Sequence, residues 1–255
     1  MAGWFGSPRQ WRKFHDEWDS ILKEFRVPEF HSKDFFHRDH NTSPTNPYRG
    51  WSPETAERFT NELTRAIAVR ELHPIGAAID VQVFMSYSVG ERRFLTHGGV
   101  KPSGRITGPN MGTPGKPYHT AMFLCIGEAV MAAQPPTQVY FVFDQNDQES
   151  KYVRRVFASM KTRQTMPDWE RLGELIFASR VKEPGLQAAD LYSHLWGAFL
   201  ENGTDGMGKE RNRVFQQMKK RRDWIRVYDE AAFEAALDSQ LTPGQRQRLR
   251  EGTSW

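Results

Sequence analysis

The sequence predicts an α/β layer fold on three observations. Stretches with apolar residues at helical spacing are interleaved with short apolar runs bounded by proline, glycine or polar residues. In the second half these two signals alternate, as layered α/β architectures require. The chain has 255 residues, 38% of them hydrophobic, which is enough for one substantial core.

The first helix starts at Ser7 and Pro8, a cap followed by a residue with preset φ. Trp11, Phe14, Trp18, Leu22 and Phe25 then form one apolar stripe, and the helix ends near Val27. Ser52 and Pro53 repeat the signal. Ala56, Phe59, Leu63 and Ile67 form that stripe, which stops before His73 and Pro74. Between them, FHSKDFFHRDHNTSPTNPYRG has no periodicity and reads as a loop.

From Ile75 the apolar residues Ile75, Ala77, Ile79, Val81, Val83 and Met85 alternate, which predicts a strand; Asp80 and Gln82 could equally mark its end. GGVKPSGRITGPNMGTPGKP holds six glycines and four prolines and is a long connection. Tyr118 to Ala133 is a helix apolar nearly all round, hence buried. QVYFVFD reads as a central strand covered on both faces and ends in Asp144. A helix from about Gln148 to Lys161 carries Tyr152, Val156 and Met160 on one side, and a strand around GELIFAS follows.

The next helix contains GLQAADLYSHLWGAF, Gly185 to Phe199. Beyond it, Lys209 to Arg222 is helical with Val214 and Met218 inward, Ala231 to Gln240 is a short helix, and TPGQRQRLREGTSW frays. This divides the chain into a domain over 1–203 and a basic helical extension over 204–255.

The formal charge is +4, and much of the excess sits in KERNRVFQQMKKRR, Lys209 to Arg222. Such a run permits an anionic partner without requiring one. Cys125 is the only cysteine, so the chain forms no internal disulfide and offers no thiolate metal site, which suits the reducing cytoplasm. No apolar run approaches the roughly 20 residues of a membrane span, and MAGWFGSPRQW lacks the pattern of a signal peptide.

Two carboxylates stand out. Asp144 ends the most apolar strand, where ligands gather in open α/β sheets, although Asp is also favoured in a turn or helix cap. Asp190 lies among alanines and leucines, and on a helix it shares one face with Gln187 and His194. A carboxylate there needs a cation, a metal or several donors. A salt bridge to an arginine would serve. So would a hard divalent cation, Mg2+ or Mn2+, held by Asp144 and Asp190 together.

His31, Asp34, His37, Asp39 and His40 are dense enough to suggest a transition-metal cluster, yet no pair has a familiar zinc spacing. Asp80, Glu128 and Glu149 remain unplaced acidic candidates. Lys219, Lys220, Arg221 and Arg222 are four consecutive cations suited to phosphate, with Trp224 nearby to stack on a base. A solvated helix face explains the same run.

The strand ending in FDQ, the following strand with F.S spacing, the helix LQAADLYSHLWG, and the opening AGWFGSPRQWRKFHDEWDSILKEFRVPEFHSKDF together resemble the bacterial domain of unknown function 3800 family. The resemblance runs from the N-terminus to about Phe199. The family's late QxxD motif falls on Gln187 and Asp190, and its histidine on His31. It implies a ribonuclease H-like fold, a central mixed sheet flanked by helices, with an acidic metal site: Asp144 in the neighbouring-strand place, Asp190 in the late-helix place and Gln187 in support; His31 and His194 are auxiliary candidates.

Family members open with a strand carrying an acidic turn. No such motif occurs here, so the resemblance implies a first strand that is absent or truncated, with a sheet edge that a second copy of the chain could cover. The expected function is a divalent-metal-dependent nuclease or phosphodiesterase. The alternative is a catalytically incomplete module of the same fold that binds nucleic acid or protein. A hydrolase using His119 or His194 as base ranks last, because no nucleophile has matching context.

Overall fold

In the computed structural model, which describes residues 1–40, 43–96, 99–100, 106–107, 116–145, 149–163, 168–219 and 225–251, the chain opens with a strand, β1 (Ala2–Phe5). Four residues are too few to show alternation, which is why sequence pattern missed it. Helix α1 (Pro8–Glu24) follows, starting at the Ser7–Pro8 pair and closed by a capping box: Gln10 N donates to Ser7 Oγ and Ser7 N to Gln10 Oε1. After α2 (Ser32–Phe36), α3 (Pro53–Val69) starts with Thr55 N donating to Ser52 Oγ.

Strand β2 (His73–Ile79) pairs antiparallel with β1, Ala2 opposite Gly76 and Phe5 opposite His73. The strand expected to reach Met85 therefore stops six residues early. Asp80 Oδ1 accepts the Val83 N–H at 3.0 Å and caps α4 (Val81–Ser86), so Val81, Val83 and Met85 lie on a short helix. A six-residue helix cannot display its period, and apolar alternation mimics a strand.

The remaining elements are α5 (Val89–Leu95), a short antiparallel pair β3 (Gly99–Val100) and β4 (Ile106–Thr107), α6 (Pro117–Ala132), β5 (Val139–Asp144), α7 (Ser150–Arg163), β6 (Leu172–Ala178), α8 (Pro184–Gly206), α9 (Lys209–Lys219), β7 (Ile225–Tyr228), α10 (Glu230–Gln240) and α11 (Pro243–Glu251). The fold is α/β and mainly helical. Its strands form a mixed three-stranded sheet in the order β1-β2-β7, in which β7 runs parallel to β2, and a separate parallel pair, β5 and β6. Among the described residues the only strand paired with β1 is β2 and the only one paired with β5 is β6, while α8 touches both β1 and β5.

Three apolar clusters hold these pieces. The largest is aromatic: Phe14 and Trp18 of α1, Phe59 of α3, Phe30, Phe35 and Tyr48 from the segment between them, Leu191 and Tyr192 of α8, and Phe215 of α9. A second gathers Met122, Ile126 and Val130 of α6 and Val153 and Met160 of α7 against Val139, Phe141 and Leu172 of the parallel pair, with Ile75 of β2 at its margin. The third is small, with Leu237, Leu241 and Leu249 against Tyr87 and Phe94.

Several expectations are corrected here. The segment read as a loop between α1 and α3 contains α2 and buries Phe35 and Tyr48 completely. Strand β5 is covered on one face only: Val139 and Phe141 are buried, while Tyr140 is 61% and Val142 44% exposed. Of the C-terminal residues expected to fray, Pro243–Glu251 form α11, with Leu249 buried and its carbonyl accepting from Ser88 Oγ at 3.0 Å, and residues 252–255 lie outside the described residues. The boundary expected near residue 203 coincides with a kink in α8 at Gly203, whose φ of 65° favours glycine. Beyond it, however, Val214, Phe215 and Met218 enter the largest core and β7 joins the sheet, so residues 204–255 are not set apart from the rest. Among the described residues no helix is long and apolar enough to cross a membrane.

Candidate functional site

Helix α8 is fixed from below by β1. Trp4 Nε1 donates to the Ala188 carbonyl at 3.0 Å, and the Trp4 ring lies 4.7 Å from that of Tyr192. This leaves the face bearing Gln187, Asp190 and His194 turned toward α1, α2 and the segment joining them.

Gln187 is buried and its side chain is engaged structurally. Oε1 accepts from Trp18 Nε1 at 2.9 Å and from the Phe30 N–H at 2.8 Å, and Nε2 donates to the Arg180 carbonyl at 3.0 Å. Three bonds in an apolar setting explain the amide without any ligand. One turn further on, Asp190 is half-buried, and its Oδ2 accepts the Ser32 N–H at 2.7 Å. That N–H opens α2 and has no partner within its own helix, so Asp190 caps it from a distance. Asp190 Oδ1 accepts no hydrogen bond among the described residues.

Around Asp190 the structure gathers part of the histidine-rich segment. His31 Nδ1 meets Asp34 Oδ2 at 2.8 Å, which orients its ring. His194 stacks on Phe36 with ring centroids 5.1 Å apart and planes 4° from parallel. Its Nε2 accepts from Arg211 Nε at 3.2 Å. Burial and the Arg211 charge hold the His194 imidazole well below the ordinary histidine range, at about 4, against an upward pull from Asp190. His37 Nδ1 donates to the Lys33 carbonyl at 2.9 Å, leaving Nε2 to face Arg211 Nη2 at 3.3 Å. Asp39 and His40, from the same dense segment, are exposed in the turn that follows α2.

Asp144 occupies a different neighbourhood. It is exposed at the end of β5, and its charge joins burial and Glu149 in raising the Tyr118 phenol. Glu149 pairs with Lys116 at 2.8 Å and lies 3.0 Å from the fully buried His119, whose imidazole burial pushes down. The other unplaced acids are structural: Asp80 caps α4, and Glu128 meets Arg226 at 2.8 Å. Among the described residues no group of three or more His, Cys, Asp or Glu side chains is arranged to hold a metal ion.

Part of the basic run, among the described residues, is used within the fold. Arg213 Nη2 donates to Thr60 Oγ1 at 2.8 Å, and the Lys219 ammonium lies 5.2 Å from the centre of the Phe199 ring. Lys220, Arg221, Arg222 and Trp224 lie outside the described residues. Sequence pattern missed Tyr48, whose hydroxyl donates to the Glu29 carbonyl at 3.0 Å and whose ionisation burial opposes. It also missed the buried Arg38, which grips Glu210 through two bonds of 2.8 and 3.2 Å. The only signal for either was composition, an aromatic and an arginine in a segment with no period.

No family model, no curated protein and no solved structure matches this chain.

Proposed function

We propose that the chain is a divalent-metal-dependent phosphodiesterase with a ribonuclease H-like arrangement of strands and late helix. The observation that carries this is Asp190, a half-buried carboxylate with one oxygen fixed by a backbone N–H and the other without a hydrogen bond. That half-occupied state leaves an oxygen ligand for a hard cation. Asp144 likewise carries an exposed carboxylate, on a strand that α8 touches. Magnesium is commonly held by one or two protein carboxylates, with waters and substrate phosphate completing its shell, so a two-carboxylate donor set is chemically adequate.

Mg2+ or Mn2+ at Asp144 and Asp190 would supply an activated water and stabilisation of the leaving oxygen. The protein's own residues then have distinct tasks. Asp190 is positioned by Ser32 through Oδ2, and Oδ1 would be its metal-binding oxygen. His31, oriented by Asp34 through Nδ1, has Nε2 available to exchange a proton with a substrate or water. Gln187 acts indirectly, holding the His31 segment in place through Phe30.

The expected result is manganese-stimulated cleavage of single- or double-stranded oligonucleotides that Asp190→Asn reduces at least 100-fold, the scale of losing a principal electrostatic group. Asparagine retains an acceptor for Ser32, so the fold should persist. Equal cleavage by wild type and variant, or none by either, contradicts the reading. The binding-module alternative draws on Gln187, whose three structural bonds show that part of the QxxD motif serves the fold itself.

A further inference from the structure

Arg211 raises a separate question. It occupies the first turn of α9, the positive end of the helix dipole, where a cation is disfavoured. Its acidic neighbour Glu210 is already gripped by Arg38. Among the described residues no carboxylate lies within ion-pair distance of Arg211. Its partners among the described residues are two imidazole nitrogens, His194 Nε2 at 3.2 Å and His37 Nε2 at 3.3 Å, and the face of Phe36, 5.2 Å away. Both imidazoles act as acceptors toward the guanidinium, and neither supplies it with a negative charge.

The guanidinium borders a cavity of about 370 Å³ between the end of α8 and the start of α9, lined also by His37, His194, the exposed Glu201, Asn202 and Met207. The pocket therefore combines an oriented cation, a hydrogen-bond-capable amide and the N-terminal turn of an eleven-residue helix, and its one lining carboxylate, Glu201, does not pair with the guanidinium. The Arg38–Glu210 clamp and the Phe36 stack hold Arg211 ready, so little ordering is needed on binding.

We infer that this pocket binds a phosphate group, with Arg211 as the principal contact and Asn202 and the histidines around it. A guanidinium offers paired N–H donors that match phosphate oxygens, and the incoming anion would supply the charge α9 lacks. The inference rests on the preceding reading only for the nature of the molecule that carries the phosphate, a nucleic acid strand.

The test is calorimetric titration of inorganic phosphate into the full chain and into Arg211→Gln, beside manganese titrations of both. Saturable phosphate binding that the variant weakens tenfold or more, with manganese binding and melting temperature unchanged, supports the pocket. Equal phosphate affinity in the two proteins, or no saturable binding by wild type, overturns it. A parallel pair of oligonucleotides, with and without a terminal phosphate, assigns the source. Arg211-dependent preference for the phosphorylated strand identifies a terminal group, and Arg211-dependent binding of both identifies a backbone phosphate. Binding of neither in an Arg211-dependent way overturns the inference for nucleic acid. Loss of manganese binding with intact phosphate binding contradicts the metal reading alone.

Discussion

At the scale of residues, Gln187 and Asp190 explain why polar groups stand in an otherwise apolar helix. Each accepts a backbone N–H from the segment entering α2, Phe30 for one and Ser32 for the other. Gln187→Ala leaves the Trp18 and Phe30 donors buried without their acceptor. Each orphaned donor costs about 1–3 kcal/mol, so thermal denaturation should show a fall in Tm larger than for an exposed glutamine such as Gln216. A Tm within a degree of wild type contradicts the assignment. The shared face of Gln187, Asp190 and His194 was legible from helical spacing alone. Their partners were not, because Trp18, Phe30, Ser32 and Arg211 are brought there by tertiary packing that no local pattern encodes.

His194 adds a pH dependence at the same scale. Its folded-state value, about 4, lies below the ordinary 6.5, so the unfolded chain binds a proton more readily between those values. The stability it contributes is therefore full above about pH 6.5 and is lost as pH falls toward 4. Melting temperature should drop between pH 7 and pH 5, and His194→Gln should reduce that drop. An unchanged pH profile in the variant contradicts a half-buried, neutral imidazole.

Among the elements, helices with caps and long stripes were read closely: α1 and α3 begin at the serine–proline pairs that announced them. Short elements were not. β1, α2, α4 and β7 have four to six residues, less than two helical turns or too few alternations to reveal a period. What holds them is long-range, as with Tyr48 and Arg38 around α2. The terminal helix α11 depends on close backbone approach: a Cβ added at Gly90 would stand 2.4 Å from the Leu249 carbonyl oxygen. Gly90→Ala should release α11, seen as faster limited proteolysis after Leu241 while the larger cores keep their far-UV signal. Unchanged protection there would show that α11 does not need that contact.

For the whole molecule, the sequence conveyed the α/β class and the order of the main elements, but not how the end of the chain is used. Basic composition suggested an appendage, whereas α9 packs its apolar face into the aromatic core and β7 extends the sheet. A fragment of residues 1–203 should thus expose the surfaces beneath Val214, Phe215 and Met218 and lose cooperative melting, as followed by circular dichroism. Retention of the full-length Tm would restore the boundary. The sheet itself is divided, with β1 and β5 each lacking a second strand partner among the described residues and both touching α8, the helix that carries Asp190. Asp144 and Asp190 thus belong to elements in contact, although their polar neighbourhoods differ.

That relation is tested most directly by calorimetric titration of manganese into wild type, Asp190→Asn and Asp144→Asn. The account predicts saturable binding by wild type and at least a tenfold loss in each variant, with melting temperatures retained. Binding that survives both substitutions, or no binding by the wild-type chain, would contradict a metal site built on these carboxylates and leave Asp190 as the cap of α2.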